Sequence, residues 1–184
     1  RLHPAHIVVV GGPNVVSADV LTALGKLSPD VKRVYGGDRF DTSRAVAAHS
    51  FTSAPVVYVS TGLNFPDSLS AGAAAGAKHA PLLLVNGGAS SVDAATASLL
   101  RSLGTTTIVV IGGPAVMSPA LAADFGRFGT VVPVAGGDRF ETSQRIIESS
   151  FANSSRVILA NGLNFPDALS ASAWAGKSAS PLFI

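Results

Sequence analysis

Residues 36–84 are written again, without a gap, as residues 136–184, and 24 of the 49 aligned positions are identical. "GGDRF" at 36–40 returns at 136–140, "TS" at 42–43 at 142–143, "GLNFPD" at 62–67 at 162–167, and "PL" at 81–82 at 181–182. Upstream, "IVV" and "GGP" at 7–9 and 11–13 return at 108–110 and 112–114, with the offset now 101. Such a chain folds as copies of one small supersecondary unit, here read as β-GGP-α-β-GGDRF-α-β-GLNFPD-α-β. The repeat divides the chain into a first unit, 1–88, a connecting helix, 89–104, and a second unit, 105–184. A shifted phasing is equally legal: one intact repeat at 36–135 flanked by two partial ones.

Within each copy, short apolar runs alternate with Ala-rich stretches. Strands are expected at 7–11, 31–35, 56–60, 81–85, 108–112, 131–135, 157–160 and 181–184. Helices are expected at 17–27, 41–51, 66–79, 91–103, 118–126, 141–151 and 166–178. The strands are continuous apolar runs ("IVVVG", "VVYVS", "IVVIG") rather than alternating ones. That pattern belongs to a parallel sheet covered on both faces. The fold class is therefore α/β, in tandem small units of β-α-β repeats with helices sandwiching a parallel sheet in three layers. Ser17, Ser91 and Ser118 stand where N-caps are expected, and Pro66, Pro119 and Pro166 suit first helical turns.

Composition narrows the function classes. Hydrophobic residues make up 47% and charged residues 13%, ample for a core and too apolar for disorder. No run approaches the ~18 apolar residues of a membrane span, so no membrane insertion is expected. The 13 basic and 11 acidic residues leave a net charge of +2 with no Lys/Arg run, which disfavours nucleic acid. The absence of cysteine removes disulfides and thiolate sites, and fits an exported protein that does without them. Arg1 is not a natural start, so processing or trimming is expected.

Half of the aligned positions have drifted, so the polar ones that match are informative. They are Asp38/Asp138, Arg39/Arg139, Thr42/Thr142, Ser43/Ser143, Asn64/Asn164, Asp67/Asp167 and Ser70/Ser170. All follow the carboxyl end of an expected strand, the edge at which open α/β sheets place ligands. Asp38 and Asp138 suit helix caps, and Asp138 with Glu141 has capping-box spacing. Arg39 either pairs with Asp67 across adjacent loops or turns its guanidinium to an anionic ligand. Asn64 or Asp67 can accept from the first turn of helix 66–79, whose free N–H groups also suit an anion. The Ser70 hydroxyl either bonds back to its helix or joins the site.

Catalytic templates fail. There is no G-x-S-x-G, Walker A or G-x-G-x-x-G. His3 and His6 form H-x-x-H without further ligands and are read as tail residues, so neither metal nor cofactor is expected. His49 and His79 are replaced by Ser149 and Ala179 in the second copy.

"GGDRFDTSRAVA", "VYVSTGLNFPDSLSAGAAAGAKHAPLLLV" and "IVVIGGPAVMS" together resemble the cell-wall-binding repeat type 2 (CWB2) of Gram-positive surface proteins. The resemblance implies secreted, S-layer-associated tandem repeats that hold enzymes and other proteins on the cell wall without covalent bonds. It implies ligands among anionic secondary wall polymers, polysaccharide or teichoic-type, and three small α/β units around a pseudo-threefold axis with binding between units. This chain carries about two units and ends inside a strand. The expectation is therefore a fragment, or a site completed by a third repeat or a homo-trimer.

The resulting expectation is a non-catalytic polysaccharide-binding module at the extracellular cell wall. Its ligand-binding residues are Arg39, Thr42, Asn64, Asp67, Ser70, Arg139, Thr142, Asn164, Asp167 and Ser170, with avidity from repetition. Two alternatives stand beside it. One is a sugar-acting hydrolase with its site at the strand edge. The other is a structural self-association module using the Ala/Gly-rich helices 66–79 and 166–178, although tight intramolecular packing also explains those helices.

Overall fold

The computed structural model describes residues 2–184, in two compact units, 1–50 and 51–184. The first unit contains β1 (His6–Val10), α1 (Ala18–Gly25), β2 (Asp30–Val34) and α2 (Arg39–Ser50). Its two strands are parallel, in a register that sets His6 beside Asp30 and Val10 beside Val34. His6 is not a loose tail residue as the sequence suggested. It opens β1, and its Nδ1 hydrogen-bonds Asp30 Oδ2 at 2.7 Å. That bond, aided by Lys32, holds the Asp30 carboxyl below the usual carboxylate range. Ser17 caps α1 by accepting from the Val20 N–H.

The second unit runs β3 (Val56–Thr61), α3 (Pro66–Ala77), β4 (Leu82–Val85), α4 (Ala94–Ser102), β5 (Thr107–Ile111) and α5 (Pro119–Asp124). A 3₁₀ turn (Phe125–Arg127), β6 (Thr130–Val134), α6 (Arg139–Ser150), β7 (Ile158–Leu159), α7 (Pro166–Lys177) and β8 (Leu182–Phe183) follow. The elements lie within a few residues of their expected ranges, with one displaced cap. Asp93, not Ser91, begins α4: its carboxylate accepts from both the N–H and the hydroxyl of Thr96, two bonds where a serine hydroxyl would accept one.

Four strands form one parallel sheet in the order β4-β3-β5-β6, and β7 and β8 form a separate parallel pair. One complete four-strand set therefore lies within residues 56–134, with two-strand half-sets at 6–34 and 158–183. The inner strand β3 buries every residue from Val57 to Thr61, on both faces, and β5 buries Ile108 on one face and Ile111 on the other, which is why their sequences do not alternate. Pro133, which has no N–H to give a second neighbour, sits on the edge strand β6 opposite Val110.

The chain leaves β3 for β4 on one side, then returns to place β5 on the other side of β3. With right-handed crossovers, this puts α3 on one face and α4 and α5 on the opposite face. On the α3 face, Tyr58, Ala71, Ala74, Ala75, Ile111, Val134 and Ile146 form a core that joins α3 to α6.

The two Ala/Gly-rich helices pack against each other, while α7 keeps Leu169 and Trp174 exposed on another face. A Cβ on Gly76 would lie 2.9 Å from Gly176 Cα, and one on Gly72 would lie 2.7 Å from the Ser172 hydroxyl. Ser172 also donates to the Leu69 carbonyl at 2.8 Å, and Phe65 meets Phe165 with ring centroids 5.6 Å apart. Small residues let the backbones come this close. The copies differ at one bulky position: Ala74 is buried in the α3–α6 core, whereas its counterpart Trp174 is 58% exposed.

Candidate functional site at the strand carboxyl edge

The β6–α6 turn is fixed by its own sequence. The Gly136 N–H donates to Thr142 Oγ1 at 3.0 Å, and the Glu141 N–H donates to Asp138 Oδ1 at 2.8 Å. The Glu141 side chain reaches back to the Gly137 N–H at 2.6 Å, one residue before the cap that a standard capping box would use. This N–H, followed by Arg145, holds the Glu141 carboxyl below its usual value. The first copy repeats the turn: Gly36 N–H to Thr42 Oγ1 at 3.0 Å and Asp41 N–H to Asp38 Oδ1 at 2.8 Å. Asp38 and Asp138 are thus caps, and Thr42 and Thr142 hold the turns closed. Ser43 also bonds locally, to the Phe40 carbonyl.

The β3–α3 turn is built differently. Phe65 is the N-cap of α3 and its side chain makes no capping bond, and Phe165 does the same for α7. Among the described residues, Asn64 Oδ1 accepts only from the Phe65 N–H, and Asn164 Oδ1 from the Phe165 N–H, each at 2.9 Å. Neither asparagine caps its helix, because the αR conformation of the following phenylalanine shifts the helix start past it.

Asp67, in the first turn of α3, stands over the β5–α5 loop. A Cβ on Gly112 would approach its Oδ2 to 3.0 Å, and Gly112 itself has φ +111°. Burial pushes the Asp67 carboxyl above its usual value, and the charge of Arg139 opposes that shift. The cation acting on Asp67 therefore comes from the second GGDRF. Arg139 also donates from Nη1 to the Gly162 carbonyl at 2.8 Å, tying α6 to the second GLNFPD loop.

These groups line a cavity of about 300 Å³ at the carboxyl ends of β3, β5 and β6. Thr61, Asn64 and Asp67 come from the β3–α3 side, Gly113 to Val116 from the β5–α5 turn, and Gly136 to Arg139 and Thr142 from the β6–α6 turn. A second cavity of about 200 Å³ shares Thr61, Asn64 and Pro114 to Val116 with it. The larger cavity lies where the strand order reverses between β3 and β5, the position at which open α/β sheets bind ligands. Its volume sits at the low end of the about 300–1,000 Å³ usual for small-molecule sites.

Of the residues expected at a site, Asn64, Asp67, Arg139 and Thr142 meet here. Ser70 does not: its hydroxyl donates to Ser143 Oγ at 3.0 Å inside the protein, Ser143 donates to the Leu182 carbonyl, and Ser70 is 2% exposed. Asn164, Asp167 and Ser170 are solvent-exposed at the start of α7. Arg39 and Thr42 belong to the first unit, at the β2–α2 turn. Sequence reasoning missed Thr61, Ala115 and Val116. Thr61 does not recur, since residue 161 is Asn, and the apolar pair carries no chemical signal; the recurring "GGP" was the available hint.

The Asp67 environment fixes a pH response. An acid whose folded value is raised takes up its proton more readily when folded, so stability falls as pH rises from the unfolded carboxylate range, about 3.9, through the folded value. Asp67→Asn removes that loss. The variant is expected to melt higher than the parent at pH 7, with the difference vanishing below about pH 3.9. Thermal melts across pH check this, and an equal or lower melting temperature at pH 7 contradicts it.

Comparison with known proteins places this architecture. The model of cell wall binding domain 2 (CWB2) matches residues 33–122 and 134–184. Among curated proteins, the chain is 26% identical over its full length to N-acetylmuramoyl-L-alanine amidase LytC of Bacillus subtilis, of which it covers 36%. It is 27% identical to the amidase enhancer of the same organism, covering 24%. The chain thus spans about a third or less of the length of these relatives. Among solved structures, Cwp6 from Clostridium difficile superposes with a TM-score of 0.90 at 24% identity, over the whole of this chain and 30% of that one. Cwp8 from the same organism superposes with a TM-score of 0.86 at 27% identity, over 98% of this chain and 31% of that one. With most of its length matched by the family model and with this sheet architecture, the chain belongs to the cell wall binding domain 2 (CWB2) family.

Proposed function

We propose that this CWB2 domain anchors a surface protein non-covalently by binding anionic secondary polymers of the Gram-positive cell wall, polysaccharide or teichoic in type. It acts outside the cell and has no catalytic role of its own. The amidase names describe longer proteins that it matches only in part. The observation that carries binding of a wall polymer is the cavity at the strand-order reversal, where Asn64 and Asp67 of the first GLNFPD meet Arg139 and Thr142 of the second GGDRF; the anionic character of the polymer is what the family resemblance implies.

In this reading, Arg39 and Arg139 supply positive charge, and the helix starts near Thr42, Thr142, Asn64 and Asn164 supply N–H and hydroxyl donors. Asp67 and Asp167 orient those groups, and exposed Ser170 extends the surface. Ser70 serves packing. Several weak contacts per molecule give a firm hold by avidity, which a third repeat or a homo-trimer would extend. The complete four-strand set falls inside the phasing 36–135, which favours that phasing of the sequence repeat, with α2 lying in the first compact unit.

Replacing both arginines by alanine is the direct test. The double variant, shown to be folded by circular dichroism, is expected to lose at least about tenfold in retention on purified walls, the loss of one or two charge-assisted hydrogen bonds. Undiminished retention by a folded double variant would sink the assignment of these side chains.

A further inference from the structure

The cavity at the strand-order reversal does not have the charge of a polyanion site. Its lining carries one guanidinium, Arg139, against two carboxylates, Asp67 and Asp138, a formal excess of one negative charge. Part of each of two groups is already engaged: Arg139 Nη1 with the Gly162 carbonyl and Asp138 Oδ1 with the Glu141 N–H. Asp67 is different. Among the described residues its carboxylate has no direct hydrogen bond or ion pair, yet it is half-buried and lines the cavity. No buried side-chain oxygen among the described residues lacks a partner, so the Asp67 oxygens open onto the cavity, where the donors of a ligand can replace those of water. A phosphate or carboxylate placed beside it would instead meet a like charge at short range in a partly desolvated site.

We propose that this cavity takes an uncharged pyranose unit of the wall polymer, held by hydroxyl groups that donate to the Asp67 carboxylate. The inference rests on the reading of the domain as a wall-polymer binder and names which part of the polymer enters. Arg139 donates to an oxygen of the same sugar. Pro66, Pro114 and Val116 offer an apolar wall to its C–H face, and the Asn64 amide both donates and accepts. The anionic groups of the polymer stay in solvent outside the cavity. Raised by burial, Asp67 also loses part of its desolvation penalty when sugar hydroxyls reach it.

The test is an amide NMR titration of the full chain at pH 7 with glucose, galactose, mannose, N-acetylglucosamine and N-acetylgalactosamine, each beside its 6-phosphate. The reporters are the backbone amides of Gly113, Gly136 and Gly137, which line the cavity. At least one neutral sugar is expected to shift them with a dissociation constant in the millimolar range, roughly 1–50 mM. Its phosphate is expected to bind at least about tenfold more weakly, and Asp67→Ala to weaken the neutral sugar by about tenfold. Asp67→Asn, which keeps the shape of the side chain, should narrow the preference against the phosphate. Tighter binding of a phosphate than of its parent sugar, or no neutral sugar shifting these amides, overturns the proposal. Sedimentation of the same protein with wall sacculi separates the two readings. Retention on walls without any sugar effect at these glycines overturns this inference alone, whereas absence of retention overturns the anchoring function.

Discussion

Gly76→Leu is expected to cost about 3 kcal/mol and to lower the melting temperature by roughly 6–12 °C. The reason lies in the contact between α3 and α7. A Cβ at residue 76 falls 2.9 Å from Gly176 Cα and 3.5 Å from its carbonyl carbon, so what it meets is backbone, not the end of a flexible side chain. The helices must part, and separation withdraws Leu69, Ala73 and Ala175, all nearly or fully buried, from their contacts. Replacing a helical glycine ordinarily gains up to about 1 kcal/mol in helix propensity, so a steric cost of about 4 kcal/mol leaves the net loss of about 3. Gly126→Ala is the control. A Cβ there meets nothing within 4 Å, and the change is expected to stay within about 0.5 kcal/mol. A Gly76→Leu protein that melts with the parent would show that the close contact of the two helices is not what holds the repeat copies together.

Gly136→Val is expected to be as damaging and also to remove the binding cavity. Its Cβ would stand 2.5 Å from both Glu141 Cβ and the Thr142 nitrogen and 2.6 Å from the Glu141 carbonyl carbon. Every one of these atoms belongs to the first turn of α6, so the β6–α6 turn must open. Opening breaks the bond from the Gly136 N–H to Thr142 and displaces Asp138 and Arg139 together. A loss of about 3 kcal/mol or more in stability is expected, with loss of any ligand effect at the cavity. Gly137→Ala is the matched comparison: it meets only Glu141 Oε2, at 3.2 Å, a carboxylate that can swing away. It should cost less than about 1 kcal/mol. Thermal melts of the pair measure the difference, and equal effects would contradict the close-approach account. Gly36 faces the same contact in the first copy, with 2.1 Å to Asp41 Cβ, which explains why the first glycine of "GGD" is kept in both.

Much of the fold was legible because its signals are local. Continuous apolar strands, Ser17 and Ser118 at helix starts, and the prolines at 66, 119 and 166 act within a few residues of themselves. Asp38 and Asp138 also followed from spacing alone. The site was only half legible. That Asn64 and Asp67 face Arg139 depends on the strand order β4-β3-β5-β6, which no local pattern encodes. Ser70 illustrates the converse: as a repeated polar residue it resembles a ligand contact, and only the packing of α3 on α6 brings it against Ser143. Trp174 is a third kind of case. Its bulk announced a difference between the copies, but the direction of that difference came from the burial of Ala74 beside Ile146.

The anchoring function itself is tested most directly by sedimenting this protein with purified Gram-positive cell-wall sacculi, before and after acid extraction of the secondary polymers. Retention on intact walls, and its loss after extraction, is the expected result. Equal retention on extracted walls, or none on intact ones, would contradict it.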